Sequence, residues 1–175
     1  MYIINTLAFH DERGAFARWF CNEELCNLVG SEKIVNVNFS RTSEKGTVRG
    51  MHFQYPPKSE IKFVRCIRGK VHDVIVDIRK DSPTYGEYFS IDLSSENMQM
   101  LMVPKGFAHG FQCLEDGSEI MYLVTEQYSQ QHESGLNPLD PYIGIKWPLP
   151  VSKMSDKDRT HKLLDADSYT PMVEL

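Results

Sequence analysis

The chain has no apolar run near the ~20 residues that a membrane-spanning helix requires, so no segment reads as a span. A basic, apolar, small-residue leader is also missing, which argues against secretion and for a cytoplasmic protein. No Lys/Arg cluster stands out against a formal net charge of -5, so there is no electrostatic footprint for nucleic acid. An anionic ligand would have to be met by a local positive pocket. The four cysteines, Cys21, Cys26, Cys66 and Cys113, form no CxxC pair and no Cys/His group at zinc spacing. They read as reduced thiols, with Cys66 and Cys113 serving as small buried hydrophobes. Repeats, low-complexity segments and long helical periodicity are absent too.

What is present is strand. At 175 residues the chain is read as one domain, residues 1–175, with 151–175 a polar tail packing near the site. An apolar start, Tyr2 to Phe9, ends at a charged turn, His10 to Gly14. Ala15 to Leu28 begins as a strand and finishes as a short helix. Val35 to Ser40 alternates strictly, with Asn36 and Asn38 on one face. Further strands are predicted over Ile61–Ile67, Val71–Asp77, Glu87–Leu93, Met98–Val103, Ile120–Tyr128 and Ile143–Trp147, with Ser129–Pro141 a loop. Short strands at regular spacing with Gly/Pro turns predict an all-β sandwich or barrel, whose mouth is a usual small-molecule site.

The most informative stretch runs from Arg49 to Asp77. Strand side chains swap faces at each residue, so Met51 and Phe53 face one way and His52 the other. Lys62 follows on the next alternating run. A histidine and a lysine pointing into one sheet-lined space supply a general base and a cation for a developing negative charge. His10, His72, His132 and His161 read as surface or structural.

Pro104-x-Gly106-x-x-His109 is similar to the second motif of the cupin jelly rolls. The first, HxH, is missing because Phe53 and Gln54 follow His52. No metal site is therefore expected. RGMHFQ, KFVRCIRGKVHDVIVDIRKDSPTYG, LSSEN, VPKGFAHGF, YIGIKWP and SDKD, with DERGAF near the start, resemble the dTDP-4-dehydrorhamnose 3,5-epimerases over nearly the whole chain. The resemblance implies an all-β, cupin-type jelly-roll barrel with few short helices. It also implies a homodimer that uses no cofactor and acts on a nucleotide-diphosphate sugar with a 4-keto-6-deoxy ring.

The resemblance makes His52 the base and Asp158, in SDKD, its orienting carboxylate. Lys62 stabilises the enolate oxygen, Tyr122 is the acid on the opposite face, and His109 is a second pocket histidine. For the nucleotide it implies Arg13 and Arg49 on the diphosphate, where a planar guanidinium bonds two oxygens at once. Phe16 and Tyr128 would lie against the base, with Asn38 and Glu133 as polar contacts. The arm carrying Arg13 and Phe16 would reach the neighbouring subunit.

Two positions depart from the family pattern: Arg18 stands where a glutamate is common, and Asn36 where a glutamine is. Arg18 is a pure donor, which would suit cytosine and so a CDP-sugar over a dTDP-sugar. The first strand is also expected to be short. Other readings are a nucleotide-sugar 3,4-ketoisomerase, a non-catalytic sugar-binding cupin and a metal-dependent cupin enzyme. Lys62, Tyr122 and the SDKD segment favour epimerisation. Elemental analysis of the purified protein is expected to find no stoichiometric metal, whereas one bound ion per chain would favour the metal-dependent reading.

Overall fold

A computed structural model describes residues 1–164. The strands are β1 (Tyr2–Asn5), β2 (Ala8–Asp11), β3 (Gly14–Ala17), β4 (Asn36–Thr42), β5 (Val48–Gln54), β6 (Lys62–Arg68), β7 (Lys70–Asp77), β8 (Tyr88–Ser94), β9 (Gln99–Val103), β10 (Phe107–Cys113), β11 (Ser118–Val124) and β12 (Glu133–Gly135). Two short helices, α1 (Asn22–Val29) and α2 (Asp156–Arg159), complete the set. One five-stranded sheet runs β1-β9-β6-β11-β4 and the other β12-β5-β10-β7-β8, while β2 and β3 form a separate hairpin. Among the described residues every strand pairing is antiparallel. The all-β jelly-roll expectation therefore holds.

Alternation decides what each strand contributes. Val64 and Cys66 of β6, Val71 and Ile75 of β7, Leu101 and Val103 of β9 and Ile120 of β11 meet between the sheets. Their neighbours Phe63, Met100, Met102 and Leu123 face outward under α1. Met51, Phe53, Val74 and Val76 face outward on the other sheet, beneath Leu136, Ile143 and Leu164. Both faces of the central strands are covered, so apolar residues fall on both, as Phe63 and Val64 do on β6. Each fully buried side chain of this size, such as Phe63, contributes about 1.5–3 kcal/mol.

The last predicted strand, Ile143–Trp147, is not a strand. Gly144 takes a positive φ of 65° and its N–H bonds back to the Asp140 carbonyl at 2.9 Å. Trp147 Nε1 donates to the Pro138 carbonyl at 2.9 Å. The apolar alternation there serves a folded loop that seals the outer face of a sheet. Conversely, the predicted loop Ser129–Pro141 contains β12, which pairs with β5. The strand expected over Ile120–Tyr128 ends at Val124, and the apolar start divides into β1 and part of the β2–β3 hairpin. Of the tail, 165–175 lie outside the described residues.

One close approach fixes the register at the barrel mouth. A Cβ on Gly50 (φ 119°) would meet Gly110 Cα at 2.5 Å, and one on Gly110 would meet Met51 Sδ at 2.6 Å and the Arg49 carbonyl at 2.7 Å. Only glycine allows β5 and β10 to approach so closely, and the β10–β5 register shifts here between His109 and Phe111. Gly110→Ala is expected to destabilise the protein by about 2–3 kcal/mol, as overpacking does. Denaturant unfolding would measure it.

Candidate active site

The Gly50–Gly110 contact sets His52 directly opposite His109 across the β5–β10 ladder. Each imidazole then finds a carboxylate. His52 Nε2 lies 2.7 Å from Asp158 Oδ1. His109 Nε2 lies 3.0 Å from both oxygens of Asp73, itself fully buried on β7. An ionised carboxylate only accepts, so Nε2 of His52 carries the proton and Nδ1 keeps its lone pair. The pair thus selects the tautomer that can act as a base.

Asp158 is delivered by the tail. Ser155 caps α2 by accepting the Asp158 N–H at 3.0 Å, and the second carboxylate oxygen accepts the Gly50 N–H at 3.2 Å. The following segment is strapped down by Asn137, whose Nδ2 donates to the Arg159 carbonyl at 2.8 Å, and by the Leu164 N–H bonded to the Asp140 carboxylate. Burial works to raise the Asp158 carboxyl, but the hydrogen bonds from His52, Gly50 and Ser155 outweigh it and hold the group below its usual range.

Lys62 and Tyr122 face the same space from β6 and β11. Lys62 is buried, with Nζ 3.1 Å from a carboxylate oxygen of Glu60. The Tyr122 phenol is pushed up by burial and by the charge of Glu60, against a smaller opposing pull from Arg49. It therefore stays protonated at neutral pH and is available as an acid.

Two hollows meet at these residues. A cavity of 430 Å³ is lined by His52, Lys62, His109, Tyr122, Arg49 and Asp158 among others. A second, of 270 Å³, is lined by Asn36, Asn38, Tyr128 and Glu133, and again by His52, Lys62 and Tyr122. The three shared side chains mark the junction. Tyr128 donates to Glu133 at 2.9 Å. Burial tends to raise Glu133, but Lys157 and Tyr128 prevail and lower it. Arg49 rests on Thr42 Oγ1 at 3.2 Å and the Arg41 carbonyl at 3.3 Å.

Three predicted ligand-binding residues lie elsewhere on the chain. Arg13 is in the β2–β3 turn, paired with Asp11, and Phe16 on β3 is 72% exposed. Arg18 pairs with Glu24 at 2.8 Å beside a separate hollow. Like Arg13 and Phe16, it does not line this chain's own cavity.

The sequence reading passed over three groups. Asp73 and Glu60 each hold a site residue, and nothing in a strand's alternation marks an inward carboxylate as a partner. His161, expected to be a surface or structural residue, lies with its ring centroid 6.1 Å from that of His52, packed so close to Gly135 that a Cβ there would meet its Nε2 at 2.5 Å. Burial, then the nearby His52, lowers its pKa and favours the neutral ring. Donor atoms of His52, Asp158 and His161 lie within 4.8 Å of one another. The proton shared by His52 and Asp158 would have to leave before a cation could enter.

The family model for dTDP-4-dehydrorhamnose 3,5-epimerase matches residues 1–166. The chain is 42% identical to the dTDP-4-dehydrorhamnose 3,5-epimerase of Shigella flexneri, over 95% of this chain and 93% of that one. The crystal structure of the Bacillus anthracis dTDP-4-dehydrorhamnose 3,5-epimerase, with TDP and PPi bound, superposes with a TM-score of 0.89 at 41% identity, covering 93% of each chain. That of the dTDP-6-deoxy-D-glucose-3,5-epimerase from Legionella pneumophila, in complex with dTDP-4-keto-L-rhamnose, gives 0.86 at 40% identity, covering 94% and 89%.

Because the Asp158 carboxyl is lower in the folded state, its stabilising contribution is present above the ordinary carboxylate range and is lost as pH falls through the lowered value. Asp158→Asn should therefore narrow the difference in unfolding free energy between neutral and strongly acidic pH, as denaturant titrations at each pH would show.

Proposed function

The chain belongs to the dTDP-4-dehydrorhamnose 3,5-epimerase family of isomerases, and from that premise we propose that it inverts C3 and C5 of a dTDP-linked 4-keto-6-deoxyhexose with His52, Lys62 and Tyr122 as its reacting groups. The ketone at C4 acidifies the hydrogens on C3 and C5. His52 Nδ1 takes one of them, and the C–H electrons pass into an enolate whose oxygen is met by the Lys62 ammonium. The Tyr122 hydroxyl gives a proton to the opposite face, and the centre is inverted. The protonated imidazole is stabilised by Asp158. The observation that carries this reading is the junction itself, where these three side chains line both hollows.

The nucleotide is assigned to the hollow of Asn36, Asn38, Tyr128 and Glu133, with Arg49 toward the diphosphate and His109 beside the sugar. Arg13 and Phe16 are assigned to the site of a second copy, making the protein a homodimer. Support comes from apolar side chains that the described residues leave uncovered: Val37 and Phe39 on the outer face of β4 are each 61% exposed, and Phe9 and Phe16 on the hairpin 64% and 72%. The four free cysteines suit a reducing cytoplasm, and the product class suits lipopolysaccharide or other surface-sugar synthesis. Among the described residues no helix is long and apolar enough to cross a membrane.

In deuterated water, dTDP-4-keto-6-deoxyglucose should take up deuterium at C3 and C5 while the ketone stays at C4, followed by NMR. His52→Asn should slow this by about 10²–10⁴-fold with dTDP affinity retained. A migrating ketone would favour the ketoisomerase, and no exchange by the unaltered protein a binding module. Separately, Val37→Glu combined with Phe39→Glu should sediment as a monomer in analytical ultracentrifugation. A dimer retained in that variant would remove β4 from the interface.

A further inference from the structure

One charged group in the chamber has no part in the reaction just described. Glu60 lies just before β6, and its carboxylate sits 3.1 Å from Lys62 Nζ, with the two side chains only 12% and 11% exposed. It lines the same hollow as Tyr122. A pair withdrawn this far from water has a large desolvation cost, and an apolar pair of similar volume would often serve stability as well or better. Stability alone is therefore a poor reason for a carboxylate here.

We propose that Glu60 is a positioning residue for epimerisation, anchoring the Lys62 ammonium against the chamber wall and setting a negative charge in the hollow that Tyr122 also lines. The inference rests on the function proposed above and extends it to a residue outside the reacting set. An ammonium has three N–H donors. One directed to Glu60 fixes the headgroup and leaves two for the oxygen at C4. The charges also balance. Lys62 unaccompanied would favour the tyrosinate, which cannot give a proton, whereas Glu60 offsets that cation until the enolate develops its own charge. In line with this, burial is the first cause raising the Tyr122 phenol, and the charge of Glu60 the second. Other charged or titratable groups around that hollow are His52, Lys62, Glu126, Tyr128 and Glu133, and the adjoining one adds His109, Lys153, Lys157, Asp158 and Arg49, the last of which opposes the shift.

The test reads Tyr122 directly. With tyrosine labelled by ¹³C at the ring carbon bearing the hydroxyl, the Tyr122 signal is assigned by its absence in Tyr122→Phe and followed against pH. In Glu60→Gln and Glu60→Ala the signal should titrate at lower pH than in the unaltered protein, and the alkaline limb of the kcat profile should move the same way. At neutral pH kcat should fall about tenfold, a usual coupling within one ion-pair network, with dTDP affinity unchanged. Glu60→Asp keeps the charge and should hold both titrations near their original positions. An unmoved signal in the neutral variants, or an equal move in Glu60→Asp, would overturn the proposal. If the neutral variants fail to fold, Lys62→Met compared with Lys62→Met combined with Glu60→Gln decides, because the two differ only in the charge of Glu60. The signal should titrate at lower pH in the double variant, and equal titration would overturn the proposal. The NMR titration needs no turnover. An inactive protein would therefore sink the epimerase reading alone, and an unmoved Tyr122 signal the Glu60 proposal alone.

Discussion

A single hydrogen bond across 106 residues of sequence, from His52 to Asp158, is the constraint on which the site depends. It requires the tail to return to the barrel mouth, and the fold supplies the means: a capped turn of helix, a loop that seals the outer sheet face, and backbone bonds from Gly46 and Val48 to the tail at Ser152 and Lys153. A carboxylate drawn from solvent into this position is costly to bury alone. The imidazole and the Gly50 N–H together satisfy it, so chain path, tautomer and charge are settled by one contact.

The same arrangement recurs around the chamber. His52 has Asp158, His109 has Asp73, and Lys62 has Glu60. Three basic groups facing the cavity are thus held by acids, while Arg49 rests on Thr42 and the Arg41 carbonyl. Such pairing limits side-chain motion before any ligand arrives, and preorganised charge is worth most where water is scarce. It also explains how a chain of net charge -5 can present positive groups to an anionic ligand without a general positive field. Of the three compensating acids only Asp73 is withdrawn from both hollows, while Asp158 and Glu60 line them beside their partners.

Much of this was legible in the sequence because alternation is a local property. The opposed faces of Met51-His52-Phe53 and the shared face of Asn36 and Asn38 follow from the strand period and appear as expected. The errors fall where local pattern and long-range packing diverge. Ile143 to Trp147 has the alternation of a strand, but the Gly144 N–H bonds back to the Asp140 carbonyl and the Trp147 indole to the Pro138 carbonyl within the loop. β12 has none of that pattern and becomes a strand because β5 offers it an edge. The partners Asp73 and Glu60 were missed for a related reason. A strand's period says which way Asp73 faces but not that it meets His109 on β10, and Glu60 lies before β6, where no strand period applies.

β4 draws these threads together. Its inward residues Asn36 and Asn38 line the second hollow, and its outward residues Val37 and Phe39 stay exposed because α1 packs over β6, β9 and β11 and leaves this edge uncovered. The two faces of a strand are separated only by the thickness of its backbone. A second copy settling on the outer face would therefore bear directly on the strand that shapes the ligand hollow, and the exposed hairpin with Arg13 and Phe16 would be carried with it. Edge strands with apolar outer faces are normally a hazard that proteins blunt. Here the edge is left apolar next to the site, which is where association and ligand binding would most readily be coupled.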